Sequence, residues 1–202
     1  MAVLDRLGVD CAFVMPPPHT ENQRGASTYE DLLSAVRRHP DRLLLGGGGT
    51  LNHLVHATNP DKVTPEVEMK FDRTAEKIVA AGARCFGEMA VLHVSYDQGH
   101  VFEQTSADHP LFLRLADLAA RHGIPIDLHM DCVPRDMTIP EFWIRRSPNN
   151  PRTLKANVPG FERLLEHNRK ARIVWQHVGR DTLGQLTPAL VRQLLQKHPN
   201  LF

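Results

Sequence analysis

The sequence is marked more by what it lacks than by any excess. Only three cysteines occur in 202 residues, Cys11, Cys85 and Cys132, and no two of them form a Cys-x-x-Cys pair. That excludes a disulfide framework and a structural zinc cluster, and leaves the thiols as small core hydrophobes of a reducing compartment. No apolar run reaches the roughly 18 residues needed to cross a bilayer, and the start, MAVLDRLGVD, has no signal-peptide apolar stretch. A cytoplasmic chain without a membrane partner is expected. Neither sign of charge prevails: 24 Lys and Arg face 23 Asp and Glu, for a net charge of +1. No basic face is implied, so nucleic acid is not an expected partner. A Gly-x-Ser-x-Gly elbow, a Gly-x-x-x-x-Gly-Lys-Ser/Thr loop, internal repeats and low-complexity tracts are also missing, which disfavours nucleophilic triads and repeat architectures.

What is present reads as a folded chain, with 42% hydrophobic and 23% charged residues. No linker divides it, so residues 1–202 are expected to form one domain. Short apolar runs at Cys11–Met15, Leu43–Leu45, Arg84–Phe86, Ile124–Leu128 and Arg172–Trp175 are too short for helices and read as strands covered on both faces. Amphipathic helices lie between them. Ser27 and Glu30 suggest a capping box before Leu32, Leu33 and Val36. Pro65 opens a helix with Phe71, Ala75, Ile78 and Val79 on one face, stopped by Gly82. Asp108 and Pro110 open the next, with Leu111, Leu115, Leu118 and Ala119 inward and Gly123 as its stop. Pro159 precedes a shorter helix carrying Phe161, Leu164 and Leu165, and Thr187 and Pro188 begin the last, with Val191, Leu194 and Leu195. Five alternations of strand and helix predict a parallel sheet with right-handed crossovers. About Asp131 to Val158 no pattern holds, which marks a long functional loop.

In such folds ligands bind at the carboxyl ends of the strands. One strand ends at Glu88, the next at His129 and the last at His177. A carboxylate and two imidazoles delivered to one edge can bind a divalent cation, since neutral imidazole and carboxylate are normal zinc ligands. Gly46 to Gly49 either cradle a phosphate or permit a tight turn beside the pocket. His19, after three prolines, either lines the site or sits in an exposed loop. His93 and His100 flank Asp97, either next to the site or in solvent. Arg135, beyond the His129 strand, is a candidate to hold a substrate carboxylate.

The stretches Gly87-Glu88-Met89-Ala90, His109-Pro110-Leu111-Phe112, Ile126-Asp127-Leu128-His129 and Ala171-Arg172-Ile173-Val174-Trp175-Gln176-His177 resemble the amidohydrolase-related metal-dependent hydrolases. The likeness is to the branch that also holds the aminocarboxymuconate-semialdehyde decarboxylase type of carboxy-lyase, and it runs from about Leu7 to Leu201. It implies an α/β fold, a (β/α)8 TIM barrel with one or two metals, usually zinc, at its mouth. His129 matches the strand-five histidine, His177 the strand-six histidine and Glu88 the variable strand-four position. His177 is then a ligand or a substrate-polarising group, and Glu88 and His177 are the candidate catalytic residues. The implied reaction is attack of activated water on an amide, ester or lactone of a small molecule, or decarboxylation on the same scaffold. Two parts of the family pattern are absent: a first-strand His-x-His and a late strand-end Asp.

Strand starts near 11, 43, 84, 126 and 172 are separated by 32, 41, 42 and 46 residues. Eight such units need roughly 320 residues, so the chain is expected to be an incomplete barrel, about strands two to six, truncated at both ends. Three readings follow. The chain is the metal-dependent hydrolase or carboxy-lyase just described; or it is inactive without the missing parts, its two open sheet edges favouring a homo-oligomer; or it is an open nucleotide-binding sheet using Gly46 to Gly49.

Overall fold

The computed structural model describes residues 1–18, 27–178 and 180–202, so His19 lies outside the described residues. A short helix, α1 (Ala2–Arg6), leads to strand β1 (Ala12–Val14), then α2 (Tyr29–Arg38), β2 (Leu43–Leu45), α3 (Gly49–Ala57) and α4 (Pro65–Ala80). Strand β3 (Phe86–His93) and the two-residue β4 (Glu103–Gln104) precede α5 (Pro110–His122) and β5 (Ile126–Met130). The chain continues through β6 (Met137–Thr138), α6 (Glu141–Arg146), β7 (Thr153–Leu154), α7 (Val158–His167), β8 (Ile173–Trp175) and α8 (Pro188–Lys197).

Five strands run parallel in chain order. β1 pairs with β2, with Phe13 opposite Leu44, and a bridge from Gly46 to Cys85 carries the arrangement on to β3. β3 pairs with β5, Ala90 opposite His129, and β5 with β8, Leu128 opposite Trp175. A parallel bridge from Ile173 to Leu201 begins the next position. The order matches the expected arc. The sheet stays open, and β1 at its edge leaves Phe13 44% exposed. The expectation that every strand is covered on both faces therefore fails at β1.

Helix signals in the sequence acted largely as expected. Thr64, His109 and Thr187 cap α4, α5 and α8 through their side chains, each followed by proline, whose missing N–H costs nothing at that position; at α5 the cap is His109, one residue beyond the expected Asp108. Gly123 ends α5 in the left-handed conformation, φ 66°. The inward stripes of α4, α5 and α7 bury Phe71, Phe112 and Phe161 against Phe86 of β3 and its neighbours, forming the main core. Side-chain burial of this size is the principal stabilising term in the fold.

Several local readings change. The capping box at α2 is Thr28 with Asp31, whose carboxylate accepts the Thr28 N–H at 2.8 Å, one residue beyond Ser27 and Glu30. On α8 only Leu194 is buried, and Leu195 is 46% exposed. Gly46 to Gly48 lead directly into α3 and act by close packing. A Cβ on Gly48 would lie 2.8 Å from the Gly87 backbone, and one on Gly46 would lie 2.8 Å from Cys85 Sγ. The stretch from Asp131 to Val158 is not a bare loop. It contains the antiparallel β6–β7 pair and α6, which bury Ile139, Trp143 and Leu154 with Leu92, Val94, Val133 and Leu183 in a second cluster over the strand ends. Among the described residues no helix is long and apolar enough to cross a membrane.

Candidate metal centre

The carboxyl ends of β3, β5 and β8 open into a cleft of about 180 Å³. Glu88 is not at a strand end. It is the third residue of an eight-residue strand, because the apolar run Met89–Leu92 extends β3 to His93. It still meets its neighbours: Glu88 Oε1 lies 2.9 Å from His129 Nδ1 and 3.5 Å from His177 Nε2. The three residues each offer a donor atom within 4.8 Å of the others, and form a group that could hold a metal ion.

Each donor is set differently. His129, next to last in β5, is buried, with a carboxylate on either side: Glu88 at Nδ1, and Asp131 Oδ2 3.8 Å from Nε2. Burial alone would lower its pKa, but the two carboxylates outweigh it and raise it to about 9. Glu88 is held below its usual range, since His129, His177 and His93 outweigh the burial that pushes it up. His177 follows β8 at a turn, with φ 58°, a left-handed conformation that costs a β-carbon residue about 1 kcal/mol. Its side chain is 54% exposed, the most accessible of the three.

Further groups complete the site, and most escaped the sequence reading. Asp131 sits two residues beyond His129, on the same side of the chain by strand alternation, and accepts the Val94 N–H at 3.0 Å. His93 belongs next to the site rather than in solvent: its ring centroid is 4.2 Å from that of His129. Burial first, then His129 and His100, push its pKa down to about 3, so it is neutral. Glu103 of β4 also lines the cleft. Arg135 does not. It is exposed in the loop after β5, and the guanidinium lining the cleft is that of Arg180, 5.0 Å above the Tyr96 ring. Cys85 and Cys132 are buried, with their thiols pushed up to about 12, which makes them unreactive at neutral pH.

No protein-family model matches the chain, and no curated protein matches it. Among solved structures, an uncharacterized TIM-barrel protein from Bordetella bronchiseptica superposes with a TM-score of 0.57 at 12% identity, over 98% of this chain and 55% of that one. The 5-carboxyvanillate decarboxylase LigW from Sphingomonas paucimobilis gives a TM-score of 0.45 at 14% identity, with the same coverage of both chains. The chain thus spans about half the length of the proteins it resembles, and its fold is an α/β arc corresponding to an incomplete (β/α)8 barrel.

Proposed function

We propose that the chain carries the metal-binding edge of an amidohydrolase-related, metal-dependent hydrolase acting on an amide, ester or lactone of a small molecule. One observation carries this reading: Glu88, His129 and His177, from three neighbouring parallel strands, converge within 4.8 Å at the cleft. The donor set fits zinc. One carboxylate and two imidazoles are ordinary zinc ligands, and a tetrahedral site needs donors about 3.4 Å apart. Two of the three separations are already 2.9 and 3.5 Å.

A divalent cation held there supplies a Lewis acid that lowers the pKa of a water molecule and polarises a carbonyl oxygen. The chain's own residues supply position. Asp131, on the Nε2 side of the ring, orients His129, and the tilted ring of His93 packs against it. His177, being accessible, serves as a third ligand or turns toward the substrate oxygen. The cleft, at about 180 Å³, is smaller than the usual pocket for a drug-sized ligand and restricts the substrate to a small molecule. Carboxy-lyase chemistry on the same residues is the second reading. It is supported by Arg180, whose guanidinium at the cleft can take a substrate carboxylate in a bidentate contact.

The test is turnover by zinc-loaded protein of a panel of aryl esters, lactones, anilides and aromatic carboxylates, beside Glu88→Gln and His129→Ala. Zinc-dependent turnover that falls by roughly 100-fold in both variants supports the proposal. Turnover indifferent to zinc and to both substitutions contradicts it.

A further inference from the structure

We propose that Glu103 is the proton carrier of this cleft, a catalytic residue separate from the metal-binding group; this rests on the hydrolytic reading above. Glu103 is the first residue of β4, whose antiparallel pairing sets it opposite His93 of β3. Its residue is 6% exposed, yet it lines the cleft beside Glu88 and His129. Its hydrogen-bond partner is Asn52 of α3, whose Nδ2 donates to Glu103 Oε1 at 3.0 Å. Asn52 is itself fully buried, and its Oδ1 accepts the N–H of Ala90, the residue in register with His129. One amide thus ties the carboxyl to the strand pair that bears the site.

Burying a carboxylate against a neutral amide, with no cation bound to it among the described residues, is costly. Packing alone would be better met by an apolar side chain. Burial, with Glu88 of β3 adding and Asn52 and His129 of β5 opposing, brings the Glu103 carboxyl to about 7. Such a group both accepts and returns a proton near neutral pH. Two of its ionisable neighbours in the cleft suit that task less: His93 is pushed down to about 3 by burial, while Asp131, despite its burial, is held below its usual range by His129 and the Val94 N–H.

In the proposed step the oxygen of the attacking water bonds to the carbonyl carbon as one of its O–H bonds breaks and that proton passes to the Glu103 carboxylate. Glu103 then gives the proton to the leaving nitrogen or oxygen as its bond to carbon breaks. The carboxylate is regenerated, and one water is consumed.

Glu103→Gln separates this role from mere anchoring of β4, because the Gln oxygen still accepts from Asn52 but cannot carry a proton. The experiment compares wild type and Glu103→Gln, both zinc-loaded, in chelator competition for zinc and in turnover of p-nitrophenyl acetate and simple lactones from about pH 5 to about pH 9. Carbon-13 NMR of the wild-type glutamate carboxyls is recorded alongside. The expected result is zinc affinity within about threefold, kcat lower by roughly 100-fold or more with KM little changed, and loss of the kcat limb near neutrality. One carboxyl signal, absent from the variant, should titrate near neutral pH. A variant kcat within about threefold of wild type overturns the proposal, as does a Glu103 signal that titrates like an ordinary carboxylate. Absence of zinc-dependent turnover in wild type overturns the hydrolytic reading and Glu103's role with it, and is distinguishable from a variant that merely matches an active wild type.

Discussion

His129 Nδ1 lies 2.9 Å from Glu88 Oε1, joining β5 to β3 at the strand edge where the His177 ring centroid stands 5.0 Å from that of His129. The contact turns three strand-edge residues into one cluster. Asp131, on the far side of the same imidazole, makes His129 the most constrained member and His177 the least. Substitution of His129 is therefore expected to disturb the site more than substitution of His177.

Arg180 lines the cleft and Arg135 does not. For any substrate bearing a carboxylate, Arg180→Ala is expected to raise KM by about tenfold, the loss of one charge-assisted contact. Arg135→Ala should leave KM unchanged. Steady-state kinetics of the two variants checks this, and the reverse pattern would restore Arg135 as the substrate-binding group.

Gly48 passes so near β3 that a Cβ would lie 2.8 Å from the Gly87 carbonyl carbon, a backbone atom that cannot move without shifting the strand bearing Glu88. Gly48→Ala is expected to destabilise the chain by about 1–3 kcal/mol. Denaturant unfolding measures it. No change would mean that α3 and β3 part more easily than their packing indicates, and a nucleotide that raised the melting temperature would return the glycine stretch to a binding role.

Glu103 gives stability a pH dependence of definite sign. Its folded pKa of about 7 lies above the ordinary value of 4.5, so the fold favours the neutral carboxyl. That contribution is fully present below the ordinary value and is lost as pH rises through about 7. Glu103→Gln removes the dependence. The variant should match wild type near pH 4 and exceed it by up to about 3 kcal/mol near pH 8. Urea midpoints at the two pH values decide, and equal differences at both would show that Glu103 is not held neutral.

Much of this arrangement is legible in the sequence because strand edges and helix starts use strong local signals. Pro65, Pro110 and Pro188 open helices where fixed φ favours them, and His129 and His177 stand just where β5 and β8 give out. The failures share a cause, which is that tertiary packing overrides local signals. Gly87 and Glu88 look like a stop after Phe86, yet Met89–Leu92 continue the strand because β5 pairs with them. Gly46–Gly49 look like a turn, but Cys85, Ile78 and Gly87 leave no room for a Cβ on Gly46, Gly47 and Gly48 in turn, and α3 starts at Gly49. The elements between Asp131 and Val158 are too short to show a period and are held by their shared cluster around Trp143. Glu103 and Arg180 lie outside every periodic segment; only the fold brings them to the cleft.

The central claim, a metal held by Glu88, His129 and His177, is tested most directly by the zinc stoichiometry and affinity of the purified chain beside Glu88→Gln, His129→Ala and Arg135→Ala. The account predicts close to one equivalent of zinc, affinity falling by roughly 10–100-fold or more in the first two variants, and no change in the third. A chain that binds no zinc, or that binds it equally well in all four forms, contradicts it.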